Sequence, residues 1–242
     1  MPGVAQELTV AAASDLQFAL PELVKAYQEK TGKTVRLVFG SSGNFFAQIQ
    51  NGAPFDLFFS ADVDYPKRLE VAGLTKEGSL YVYATGAIVL WEPEDRIDIE
   101  SLGIKALTNP RVKHIAIANP AHAPYGRAAK AALENAGIWE AVKDKIVMGE
   151  NVTQAAQFVQ TDNAQVGIIA LSLALSPKMT GLRWTIPQSL YPRLEQACVI
   201  LKSSRQSREA EEFVAFLKSD AGLNIMKRSG FTPPAASRKV KQ

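Results

Sequence analysis

The stretch that decides the fold runs from residue 8 to residue 62: LTVAAASDLQFALPELVKAYQEKTGKTVRLVFGSSGNFFAQIQNGAPFDLFFSAD. Residues 8–12 alternate as a strand. Ser14 then reads as the cap of a helix carrying Leu16, Leu20, Leu23, Val24 and Tyr27 on one face and ending at Gly32. Residues 35–39 form a second strand. The sequence GSSGN (40–44) leads into a short helix stopped by Asn51-Gly52, and residues 57–60 form a third strand. This βαβαβ order predicts a parallel sheet with helices on its faces.

Working outward, a helix over 63–71 stops at Gly73, and two extended segments over 79–91 pivot on Thr85-Gly86. A second α/β series follows, with strands at 114–118, 146–148 and 166–170 and helices at 125–136 and 152–161. An extended run at 194–201 precedes helices at 207–217 and 221–229. The order predicts two α/β lobes, each a mostly parallel sheet flanked by helices. Residues 1–84 with 200–242 make the N-terminal lobe and 85–199 the second, joined by hinge crossovers near 82–88 and 190–200. Gly86 can absorb backbone rotation in the first of these.

Composition narrows the function. The 242 residues, 47% hydrophobic and 21% charged, suit one or two folded domains and exclude wholesale disorder. The longest apolar stretch, 166–175, is about half of what a spanning helix needs, which predicts a soluble protein. Lys plus Arg number 27 and Asp plus Glu 24. The tail after Phe231 holds Arg238, Lys239 and Lys241 and no acid, so the remainder balances at 24 against 24. That speaks against a nucleic-acid partner, which calls for a basic face. Cys198 is the only cysteine and His114 and His122 the only histidines. No internal disulfide, multi-cysteine site or His-rich metal site can form, and Cys198 in the run QACVIL reads as a buried structural thiol.

Four predicted helix starts share one property. Ser14-Asp15, Ser41-Ser42-Gly43, Ala123-Pro124-Tyr125-Gly126 and Asn151-Val152 each put unpaired N–H groups at the C-terminal edge of a sheet. Ligands of open α/β folds bind there, and converging helix N-termini hold an anion without charged side chains. Each could equally be an ordinary cap. Gly40 and Gly43 permit close backbone approach, and Pro120 and Pro124 stiffen the loop before Tyr125.

The segments TVAAASDL (9–16), FGSSGNFFAQIQNGAPFDLFFSAD (39–62), ANPAHAPYG (118–126), ENV (150–152) and KRSGF (227–231) resemble the periplasmic molybdate-binding proteins of ABC importers. The resemblance implies a two-lobed type II periplasmic-binding-protein clamp. It implies capture of molybdate, and of tungstate with it, and delivery to the membrane permease of an ABC importer. It implies a monomer with no cofactor and no catalysis. Carried across, the anion is held by Ser14 with the Asp15 amide, by Ser42, and by the amides of Tyr125 and Val152, with no bond to the metal atom itself. Some members add a tyrosine hydroxyl where this chain has Ala170, so other amides or water must replace that donor. Asp15 is expected to point away from the anion and serve its helix end. A site made only of donors should reject hydrogen phosphate, whose proton needs an acceptor. The start MPGVAQ lacks the basic and apolar regions of a signal peptide. Either the protein is cytoplasmic or a start codon has replaced a leader; the resemblance implies the second, a periplasmic protein.

Two alternatives stay open at this point: a binding protein for another tetrahedral oxyanion such as sulfate, and a serine hydrolase using Ser42 with His122 as base. GSSG is not the G-x-S-x-G elbow, and no acid is evidently paired with His122, which reads as a surface residue. A ligand-sensing regulator domain would need a DNA-binding segment, and no helix-turn-helix precedes Leu8.

Overall fold

The computed structural model describes residues 7–234; the start at 1–6 and the basic tail residues Arg238, Lys239 and Lys241 lie outside the described residues. Among the described residues, ten strands form two five-stranded sheets. The first has the order β2 (Val35–Gly40), β1 (Leu8–Ala13), β3 (Leu57–Ser60), β10 (Leu194–Ile200), β4 (Tyr81–Gly86). The second has the order β7 (Ile146–Gly149), β6 (Ile115–Ala118), β8 (Val166–Ala170), β5 (Ile88–Glu92), β9 (Leu182–Thr185). In each sheet one strand, β10 or β5, runs against the other four. Both reversed strands are the ones delivered by a crossover from the other sheet. The architecture is the two-lobed clamp that the sequence predicts.

Ten helices accompany the sheets: α1 (Ala19–Thr31), α2 (Ser42–Gln50), α3 (Asp64–Val71), α4 (Ile99–Leu102), α5 (Pro124–Asn135), α6 (Trp139–Val142), α7 (Val152–Gln160), α8 (Leu171–Ala174), α9 (Ser207–Leu217) and α10 (Asp220–Arg228). The inner strands β1, β3 and β10 of the first sheet are covered on both faces, so they read as largely apolar runs. Val10 and Ala12 of β1 face a cluster with Leu20 and Leu23 of α1, Phe213 of α9 and Ile225 of α10. Ala11 between them faces the opposite cluster, with Phe45 of α2 and Leu69 of α3. The C-terminal helices thus complete the first lobe. Cys198 is buried in β10, and burial pushes its thiol up to about 12, so it is inert packing. Among the described residues no helix is long and apolar enough to cross a membrane.

Two local expectations are corrected. Ser14 does not cap α1: Ser14–Leu16 is a 3-10 turn, and α1 begins only at Ala19. Pro21 supplies the reason. It has no N–H to give Gln17, so an α-helix running through it from Ser14 would lose a bond and clash, whereas within the first turn of α1 it costs nothing. The second lobe does not extend to residue 199. All of β10 pairs with β3 and β4, so the crossing is complete by Leu194. An apolar run buried on both faces does not show which sheet it joins; only its cross-strand partners decide that. At Gly86, in the first crossover, the backbone takes no unusual φ. A Cβ there would collide with the Tyr125 hydroxyl and the Gln196 amide, so glycine is required by close approach. The chain changes sheet at the next residue, Ala87, between β4 and β5.

Candidate anion-binding site

Where the two sheets face each other, one small cavity of about 10 Å³ lies at their C-terminal edges. Organic ligands need roughly 300–1,000 Å³, so a space this small excludes them. The first lobe contributes Ala13, Ser14, Asp15, Gly40, Ser41, Ser42 and Ala61; the second contributes Ala123, Pro124, Tyr125, Asn151 and Val152. All five residues singled out from the sequence, Ser14, Asp15, Ser42, Tyr125 and Val152, therefore meet around one cavity. No Lys, Arg or His side chain lines it.

Ordinary capping exists beside the cavity and leaves its amides unclaimed. Ser41 is the N-cap of α2, and its hydroxyl accepts from the Asn44 N–H. Asn151 caps α7 and accepts from the N–H groups of Thr153 and Gln154. The Ala123 carbonyl before α5 accepts from Gly126 and Arg127. The N–H groups of Ser42, Tyr125 and Val152 precede those bonded amides in the first turns, where helix geometry supplies no acceptor. Three helices of nine residues or more thus present their positive ends here. The fourth start, Ser14-Asp15, contributes a 3-10 turn rather than a helix dipole. Ser42 Oγ accepts from the Ala61 N–H at 3.0 Å, which leaves the hydroxyl proton free to point into the cavity.

Asp15 departs most from expectation. It caps nothing. It is 1% exposed, and its Oδ2 accepts from the Tyr125 hydroxyl at 3.0 Å and from Gln196 Nε2 at 2.7 Å, while Oδ1 is buried with no partner. Burial pushes this carboxyl up to about 6, against the opposing pull of the Gln196 and Tyr125 hydrogen bonds. Tyr125, beside it, is raised well above the usual phenol range by burial and by the Asp15 charge. The cavity is consequently not lined by donors alone. An ionised Asp15 brings an acceptor, which removes the ground for rejecting hydrogen phosphate.

The lobes touch across the cleft through several bonds that pattern alone did not reveal. Gly43 N–H donates to the His122 carbonyl at 2.9 Å, and Ser41 Oγ lies 3.0 Å from His122 Nδ1. The Thr153 hydroxyl donates to the Ser14 carbonyl at 3.0 Å, and the Ser172 hydroxyl, just past Ala170, donates to the Asp15 carbonyl at 2.7 Å. Arg127 pairs with Asp62 at the rim. His122 is thus part of the seam rather than a free surface residue, and it faces Ser41, not Ser42. Glu150 Oε2 stands 3.7 Å from its Nε2, an acid that spacing did not reveal.

The family of bacterial extracellular solute-binding proteins matches residues 8–232. The chain belongs to this family. The solute-binding protein is 37% identical over 232 residues to the molybdate-binding protein ModA of Rhodobacter capsulatus, covering 96% of this chain and 90% of the relative. It is 38% identical over 229 residues to ModA of Azotobacter vinelandii, covering 94% and 90%. The solved Azotobacter vinelandii periplasmic molybdate-binding protein superposes with a TM-score of 0.89 at 33% identity, covering 95% of this chain and all of that one. As a solute-binding protein it is not an enzyme, and the geometry is consistent with that. Ser42 is bonded to a backbone amide, and the hydroxyl near His122 is an N-cap.

Proposed function

We propose that this protein captures molybdate, and tungstate with it, in the cavity between its lobes on the extracytoplasmic side and, as a monomer, delivers it to the membrane permease of an ABC importer. The observation that carries the reading is the ring of Ser14, Asp15, Ser42, Tyr125 and Val152 from both lobes around one small cavity with unclaimed first-turn amides and no cationic side chain. Its relatives at 37% and 38% identity are molybdate-binding proteins, which supports the choice of anion. In this reading the hydroxyls of Ser14 and Ser42 and the amides of Asp15, Ser42, Tyr125 and Val152 donate to the four oxygens. Sulfate carries the same charge and is discriminated by size. The lobes, residues 7–86 with 194–234 and residues 88–185, close around the ion by rotation at Ala87 and within 186–193. A ligand touching both lobes favours the closed form.

Thermal melts of the wild type and Val152→Pro test this reading. At a molybdate concentration about a hundredfold above Kd, the wild type should gain ~2.7 kcal/mol of stability, a rise of roughly 5–10 °C for a chain of this size. Proline suits the first position of α7, and Asn151 before it is already extended at φ −152° and ψ 175°. The variant should therefore melt within a few degrees of wild type without ligand, yet bind about tenfold more weakly for lack of one charge-assisted amide bond. No rise in the wild type at millimolar molybdate removes the assignment. Equal affinity in Val152→Pro removes the start of α7 from the site.

A further inference from the structure

We propose that Asp15 engages the bound dianion as a neutral carboxylic acid donating from Oδ1, so that capture of each anion takes up one proton from solvent. The inference rests on the anion reading above and names the donor that stands in for the tyrosine absent at Ala170. Its basis is the asymmetry of one buried carboxyl. Oδ2 accepts two hydrogen bonds, from Tyr125 and Gln196, whereas Oδ1 has none, although Asp15 lines the cavity. A buried oxygen without a partner is costly in either protonation state. A proton on Oδ1 turns it into a donor, and the oxygen of a dianion in the cavity is the acceptor that donor lacks. An ionised Oδ1 in the same place would repel the dianion.

The surroundings hold the carboxyl in that role. A bulge in β10 between Gln196 and Ala197 aims the Gln196 side chain inward. Its Oε1 accepts from the Tyr83 hydroxyl of β4 at 2.7 Å, which leaves Nε2 to donate to Asp15. The amide orientation is fixed from both ends. The titratable groups facing Asp15 are the phenols of Tyr125 on α5 and Tyr83 on β4, both raised well above the ordinary value and uncharged. From α7 and α8 come only the hydroxyls of Thr153 and Ser172, bonded to the carbonyls of Ser14 and Asp15. Among the described residues no cationic side chain pairs with Asp15. Desolvation raises the carboxyl, the hydrogen bonds from Gln196, Tyr125 and its own backbone N–H oppose that, and the balance stands at about 6.

The proton balance is simple. The free protein, with Asp15 ionised above pH ~6, and a dianion combine with one proton to give a complex in which Asp15 carries that proton. By linkage, affinity should be flat below pH ~6 and fall about tenfold for each pH unit above it. Calorimetric titration with sodium molybdate in two buffers of different protonation enthalpy counts the protons. Uptake should be about a quarter of a proton per anion at pH 5.5, and about one at pH 7 and above. Affinity should fall roughly thirtyfold between pH 7 and 8.5. Asp15→Asn keeps the shape and supplies a permanent N–H donor, so its uptake should be near zero and its affinity level from pH 7 to 8.5. It should bind more tightly than the wild type at the alkaline end. A merely structural Asp15 would change affinity equally at every pH. Molybdate binding in the wild type without proton uptake overturns this proposal alone. Uptake that persists in Asp15→Asn places the proton elsewhere and also overturns it. No molybdate binding at any pH overturns both this proposal and the reading it rests on.

Discussion

Gly43→Ala should leave the unliganded protein as stable as the wild type or slightly more so, while weakening molybdate binding about 10–100-fold. Gly43 sits in the first turn of α2 without a positive φ. Alanine therefore fits its own helix, where replacing glycine contributes about 0.5–1 kcal/mol. The rigid obstacle belongs to the other lobe. A Cβ at residue 43 would stand 2.5 Å from the His122 carbonyl oxygen and 2.9 Å from its Cα, both backbone atoms that cannot rotate away, whereas the Tyr65 hydroxyl of its own lobe, 2.8 Å away, is a side-chain end that can shift. In a clamp that opens, the His122 backbone withdraws when the lobes part. Overpacking by one carbon costs ~1–3 kcal/mol, and here that cost falls on closure and hence on the affinity of any ligand that needs both lobes. The check is one melt without ligand and one titration. A variant that melts several degrees lower without ligand would show that the free protein is already closed, and the clamp account would fail.

Ser42→Ala should have two effects at once. Deleting the hydroxyl removes one charge-assisted bond to the anion, about 1.5–3 kcal/mol or ~10–100-fold in affinity. It also orphans the Ala61 N–H, which is 1% exposed and has Ser42 Oγ as its acceptor. Leaving a buried donor unpaired costs ~1–3 kcal/mol, so the unliganded variant should melt roughly 2–12 °C lower. Lower stability with unchanged affinity would confine Ser42 to holding Ala61 and would take its hydroxyl out of the site.

The contrast between these residues shows what could be read along the chain. Capping is local chemistry, so the starts at Ser42, Tyr125 and Val152 were legible from their neighbours within a few positions. The strands of the first βαβαβ unit were legible for the same reason. The role of Asp15 was not, because its partner Gln196 lies 181 residues away and its other partner, Tyr125, lies 110 residues away. Neither Gln196 nor Tyr83 stands out in a linear pattern, and the bulge that aims Gln196 is a property of pairing, not of composition. The extent of β10 in the first sheet was hidden likewise. The edge strand β9, with Leu182 and Trp184 only half-buried, alternates but over four residues is too short to register. Pro21 did carry a readable signal: it forbids a helix beginning at Ser14, and the apolar face around it masked that.

Oxyanion capture is tested most directly by a calorimetric titration of the wild type with molybdate, tungstate and sulfate in parallel at pH 7. Molybdate and tungstate should each fill one site per chain with micromolar or tighter affinity, and sulfate should bind at least tenfold more weakly. Absence of binding by both oxometallates, or sulfate binding as tightly as molybdate, would contradict it.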